Sequence, residues 1–178
     1  MNNLETQIER GTAKLVAAGK YKQTNLLIEM YPEALEHIRE LDLTPKQLEE
    51  MFQLVVDLDE CLWLVEQLSR GSSDFEAGGY RFIHEGDILS ILAEELSNDT
   101  YILGSFNASF LARHTGLPLK VIEALQKADV YEALGEACLP HIEDIAQGYA
   151  DADGYGHHFA HYDGSEHCMG EYYAFKVI

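Results

Sequence analysis

The sequence predicts a mainly α protein with a small C-terminal antiparallel β-sheet, an α+β chain in a single compact domain. Three observations carry that expectation. Apolar residues recur three and four apart over most of the 178 residues, the spacing of helices with one buried face. Beyond Gly156 the spacing turns to alternation around Asp163-Gly164, a strong hairpin turn signal. Hydrophobic residues make up 47%, enough for a packed core and too many for wholesale disorder.

Leu4 to Ala18 reads as a first helix, with Leu4, Ile8, Leu15 and Val16 inward and Gly19 as its stop. Thr24 to Met30 is a short second helix. Tyr31 before Pro32 is pushed out of helical geometry, so a third helix starts at Pro32 and runs to Leu41. Thr44 and Gln47 match a capping box, with Pro45 at the first helical position. Leu48, Met51, Val55, Leu58, Leu62 and Val65 then mark a long amphipathic helix ending near Gly71. Its stripe serves packing within the domain, or a homodimer seam through residues 45–68. Trp63 lies off the stripe, as a surface anchor for a partner or packed against the Gly71–Gly79 loop.

Residues 71–79 read as a flexible connection between an N-terminal helical part, 1–70, and a helical core with the C-terminal hairpin, 80–178. Tyr80 to Ile83 has strand-like composition and could join the sheet. Asp87 starts a helix through Leu96, with Ile88, Ile91, Leu92 and Leu96 inward, and Ser97-Asn98 closes it.

Asp99 to Leu125 is the central stretch, expected as two helices and a tight turn. Asp99 caps the first helix; Ile102, Leu103, Phe106, Phe110 and Leu111 line its buried face. Gly104, Ala108 and Ala112, four apart, suit a close helix–helix approach. Gly116 ends that helix and Pro118 opens the next, on which Val121, Ile122 and Leu125 are expected inward. A helix then continues or restarts to Ala137, and Pro140 opens a last one to about Tyr149. His157 to Tyr162, Ser165 to Met169 and Glu171 to Val177 complete the sheet as three strands.

Charge excludes more functions than any motif suggests. There are 12 Lys+Arg against 31 Asp+Glu, a net charge of -19, and no Lys or Arg occurs from Asp129 through Glu171. Such a field repels nucleic acid, whose binding depends on neutralising phosphates, and attracts basic protein surfaces. The plain alternative is a charged surface kept for solubility. On the first reading the contact residues are Asp129, Glu132, Glu136, Glu143, Asp144, Asp151, Asp153 and Trp63.

The three cysteines, Cys61, Cys138 and Cys168, are scattered and odd in number, as in free thiols of a reducing compartment. No apolar run approaches 18 residues and the N-terminus lacks a signal-peptide pattern, so a cytoplasmic location is expected. Ser72, Ser73 and Ser165 sit in no nucleophile elbow, and no Gly loop cradles phosphate. No catalytic residue and no cofactor is expected.

Two alternatives remain open. His157, His161, His167 and Cys168 carry transition-metal donors, so a metal-binding or metal-dependent enzyme is conceivable, although no tight ligand spacing occurs. Asp151-Ala-Asp153-Gly154 hints at a calcium loop, but Tyr162 occupies the position of the bidentate Glu. Ala112, Gly116, Leu117, Ile122 and Leu125 fit a helix-turn-helix regulator whose second helix would present Lys120, Glu123, Gln126 and Lys127 to DNA, a poor electrostatic set.

Asp-Gly-Tyr-Gly-His-His-Phe from Asp153, Tyr-Asp-Gly-Ser-Glu from Tyr162 and Gly-Glu-Tyr-Tyr-Ala-Phe from Gly170 resemble small acidic proteins of phages and plasmids. Tyr101 to Ala112 is similar to segments of the same group. The resemblance covers the second half of the chain. It implies a mobile-element context, in which compact acidic proteins disable host defences in the manner of anti-restriction and anti-CRISPR proteins. The expected function is therefore a non-catalytic inhibitor that occupies a basic, nucleic-acid-binding surface of a host protein, with no direct nucleic-acid or membrane binding.

Overall fold

The structure is a computed structural model that describes Met51, Leu54, Val55 and residues 58–178. The expected helices over 4–18, 24–30 and 32–41, the Thr44–Gln47 capping box and most of the 45–68 seam lie outside the described residues. The rest is α+β, with helices and one four-stranded antiparallel sheet. It groups into two compact units: the described residues up to Glu85 with Phe159–Ile178, and Gly86–His158. No described helix is long and apolar enough to cross a membrane.

The first unit pairs a helix with the sheet. Helix α1 (Leu58–Ser69) ends at Gly71, whose φ of 66° suits a residue without Cβ. Strand β1 (Asp74–Ala77) alternates, with Phe75 and Ala77 buried and Asp74 and Glu76 exposed. It pairs with β2 (Tyr80–His84) across Gly78-Gly79, both at positive φ, as a two-residue hairpin of the primed type requires. Gly78 is needed for space as well, since a Cβ there would come within 2.8 Å of the Val55 Cα. The 71–79 segment expected as a flexible connection therefore carries a strand. Its Gly and Ser content masked a four-residue β1 with only two apolar positions.

Strands β3 (Glu166–Met169) and β4 (Tyr172–Lys176) form the second hairpin, and β2 pairs with β4, giving the order β1-β2-β4-β3. Tyr80–Ile83 does join the sheet, as its composition allowed. The strands expected over Ser165–Met169 and Glu171–Val177 are this hairpin, turning at Gly170-Glu171 with Gly170 at φ 68°, while the strand pair expected across Asp163-Gly164 does not form. Asp163 does turn the chain, its side chain accepting from the Ser165 N–H at 2.9 Å, but no strand precedes it. His157–Tyr162 is not a strand. The chain leaves Gly154 at φ 74° into a single helical turn, α8 (Gly156–Phe159), and Phe159 is buried while His157 is exposed. Met51, Val55, Leu64, Leu68, Phe75, Phe82, Met169 and Tyr172 build this unit's core, with Phe75 stacked on Phe82 at 5.3 Å.

The second unit is helical. Helix α2 (Ile88–Asn98) buries Ile88, Leu92 and Leu96, as the spacing predicted, while Ile91 is half-buried. The central stretch holds three helices, not two: α3 (Thr100–Ser105), α4 (Ala108–Thr115) and α5 (Leu119–Lys127). Asp99 caps α3 by accepting from the Ile102 N–H at 2.9 Å, as expected. The unforeseen break comes at Asn107, whose side-chain oxygen accepts from the Ser109 and Phe110 N–H groups at 3.0 and 3.2 Å and so starts α4. Ile102 and Val121, expected inward, are exposed, because each shorter helix buries a narrower stripe: Leu103 on α3 and Ile122 on α5.

Helices α6 (Tyr131–Cys138) and α7 (Ile142–Asp153) follow, joined through a 3-10 turn at Leu139–His141 that holds Pro140. α6 lies against α3 and α7 against α2 and α4. Leu103, Leu111, Ile122, Leu134, Cys138 and Ile145 form the core, where burial pushes the Cys138 thiol pKa up. The expected close approach at Gly104 is present: a Cβ there would meet the Tyr131 carbonyl oxygen at 2.0 Å. Its counterpart is Gly135, where a Cβ would meet the Thr100 carbonyl oxygen at 1.9 Å. Ala108 and Ala112 belong to a different helix and do not extend that contact.

Asp129 is the one described non-glycine residue at positive φ, 54°. It follows α5 at the left-handed position, with the Val130 N–H donating back to the Leu125 carbonyl at 3.0 Å. An L-residue there is strained, so Asp129→Gly is expected to raise stability by about 0.5–1 kcal/mol in urea denaturation.

Candidate functional site

Seven of the eight residues expected to make contact fall in the helical unit, all exposed. Glu132 stands in the first turn of α6 and Glu136 one turn later on the same face. Glu143 and Asp144 open α7, where the partial positive charge of a helix N-terminus favours carboxylates. Asp129 sits at the end of α5. Asp151 and Asp153 occupy the last turn of α7, which holds no basic residue. There the helix dipole opposes them, an effect that the Gln147 amide one turn earlier offsets at Asp151. The Gln147 amide donates to Asp151 at 2.8 Å.

Asp153 also acts on a neighbour. Burial, and then the Asp153 charge, hold the Tyr149 phenol above its usual pKa. A phenol so raised keeps its proton longer in the folded state. The unit is therefore at full stability below the ordinary tyrosine range and loses stability as pH rises through it. Asp153→Asn is expected to lower the Tyr149 transition in an alkaline absorbance titration while leaving it above the usual value, since burial remains. The same change should raise stability by about 0.3–1 kcal/mol through the helix end.

Trp63, the eighth residue, is 44% exposed. Its indole N–H donates to the Glu76 carbonyl at 2.9 Å, so it packs against the 71–79 segment, one of its two expected uses. Glu60 Oε2 accepts from the Gly78 N–H at 3.1 Å and ties α1 to the same hairpin.

The metal-donor residues are not brought together. His157 lies in α8, His161 sits 3.1 Å from the Val177 carbonyl, His167 meets the Tyr80 ring edge-on, and Cys168 is on the exposed strand β3. Burial and the neighbouring Glu166 both raise the Cys168 pKa. Among the described residues no three His, Cys, Asp or Glu side chains are grouped to hold an ion. His158 is used instead as a tie: its Nε2 lies 2.9 Å from Glu95 Oε2, and its ring stands edge-on to Tyr149, which stacks on Phe106.

Helices α4 and α5 do form a tight corner, with Gly116 at φ 71° donating its N–H to the Ala112 carbonyl. Gln126, expected to face DNA, does not. Its amide donates to the Gly104 and Phe106 carbonyls at 2.9 and 2.7 Å, satisfying groups left free at the end of α3. The exposed face of α5 carries Leu119, Val121 and Glu123 beside Lys120 and Lys127. Gln126→Ala is expected to cost about 1–2 kcal/mol in denaturant unfolding. A base-reading glutamine would leave stability unchanged.

The Tyr101–Tyr131 pair has no motif in the sequence to announce it. The two rings meet edge to face with centroids 5.2 Å apart, and Tyr101 is 54% exposed. The one available signal was adjacency, since Tyr131 lies between Asp129 and Glu132 and Tyr101 follows Asp99. Their pairing depends on the α3–α6 crossing, which no local pattern specifies. No protein-family model matches the chain, and neither a curated protein nor a solved structure matches it.

Proposed function

We propose that this protein is a non-catalytic, acidic binding protein of a mobile genetic element that occupies a basic, nucleic-acid-binding surface of a host defence protein. One observation carries the reading: the acids of α6 and α7 are exposed in a stretch, Asp129–Glu171, that holds no Lys or Arg. Asp153 at the C-terminal end of α7 opposes the helix dipole, which favours a role other than helix stability. A surface of one sign speeds encounter with the opposite sign and loses its pull as salt rises.

The test is capture from host lysate at low salt on the immobilised protein, followed by mass spectrometry and elution with duplex DNA. The expected result is a nucleic-acid-binding protein that DNA displaces and that high salt releases. Recovery of partners indifferent to both would refute the reading. The α4–α5 corner supports a second reading, a helix-turn-helix regulator, because Gly116 joins the two helices at the left-handed position. A gel shift at low salt decides it, and no retained DNA would remove it.

A further inference from the structure

The Tyr101–Tyr131 pair, with Tyr101 exposed and Tyr131 half-buried, suggests how such an acidic face could select its counterpart. Gly104 and Gly135 let α3 and α6 cross with their backbones in contact. The crossing sets Tyr101 against Tyr131 on a rigid base. Tyrosine has few rotatable bonds, so a ring held this way loses little entropy when a partner covers it. Val130, 38% exposed, adds apolar surface beside Tyr131. Glu132, the next residue, supplies an exposed carboxylate in the first turn of α6.

Rings at a helix with exposed carboxylates and no Lys or Arg suit one side chain above others. A guanidinium is planar, stacks on aromatic faces and pairs with a carboxylate through two parallel N–H groups. An ammonium is a compact, strongly hydrated charge that gains less from a ring. A second copy of this chain would bring another large negative charge to the same face. We propose that the Tyr101–Tyr131 pair, with Glu132, is an anchor for an arginine side chain on a basic protein partner. This rests on the acidic-binding reading above and specifies it.

The test uses the full chain and two labelled peptides, hexa-arginine and hexa-lysine, followed by fluorescence anisotropy over a salt series. Both peptides are expected to bind, more weakly as salt rises. Hexa-arginine is expected to bind about two- to fivefold tighter, the size of an exposed cation–ring contact. That preference should persist in Tyr101→Phe and vanish in Tyr101→Ala, with circular dichroism showing both variants folded. Equal, salt-sensitive binding of the two peptides would overturn the anchor and leave the acidic-binding reading standing. No binding of either peptide would overturn both. Self-association abolished by Tyr101→Ala would reassign the patch to a second copy and overturn the anchor.

Discussion

Gly135→Ala is expected to unfold the helical unit or to leave it barely folded. The added methyl would lie 1.9 Å from the Thr100 carbonyl oxygen and 2.6 Å from its carbon, so the obstacle is backbone, not a side chain that can rotate away. Only separation of α3 from α6 relieves it, and these two helices are each other's main packing partners. Overpacking commonly costs 1–3 kcal/mol, and a clash with immovable backbone belongs at or above the ~3 kcal/mol end. Gly104→Ala should do the same through the Tyr131 carbonyl. The double variant should cost less than the sum of the two, because helices already pushed apart have room for the second methyl. Urea denaturation of the three variants measures this. A change below about 1 kcal/mol in either single variant would contradict the crossing described.

Phe82→Ala should have a comparable effect on the sheet unit. Phe82 is fully buried, stacks on Phe75, and belongs to β2, which is paired on both sides. Truncating a buried phenylalanine costs about 3–5 kcal/mol, from lost burial and the cavity left behind. Hydrogen exchange can locate the loss. Amides of β1, β2 and β4 are expected to lose most of their protection, with Phe82→Leu losing much less because it fills more of the space. Protection unchanged in β2 would show that the stacked pair does not hold the sheet.

Where the sequence anticipated this structure, a local cause was enough. Asp99, Gly116 and the α2 stripe were readable because a cap, a left-handed turn and a helical period are each set by neighbours in the chain. The last strand, expected over Glu171–Val177, and the strand-like Tyr80–Ile83 were visible for the same reason. Asn107 could have been found, since asparagine before a helical run is an N-cap signal, but a continuous apolar stripe from Leu103 to Leu111 concealed the break. The strands expected over Ser165–Met169 and Glu171–Val177 do pair across Gly170-Glu171, whereas Asp163-Gly164 makes no hairpin because residues 157–162 supply no strand before it.

The candidate site divided along the same line. Exposure of the acids followed from their positions on amphipathic helices. The use of Gln126 as a clip and the meeting of Tyr101 with Tyr131 depend on contacts between helices remote in sequence. The same holds for the separation of the histidines. Four residues within one short segment look like a ligand set until a helical turn and a strand take them apart.

Strand order carries a consequence for how the molecule is made. β4 is the last of the described strands to leave the ribosome, yet it lies between β2 and β3, and Tyr80 pairs with Lys176. Every element of the Gly86–His158 unit has emerged before that pairing can form. During synthesis the helical unit can fold at once through nearby contacts, while the β1–β2 hairpin must wait with one edge unpaired. The nascent chain can thus gain its acidic, ring-bearing unit before the sheet, which is completed only once β4 has emerged.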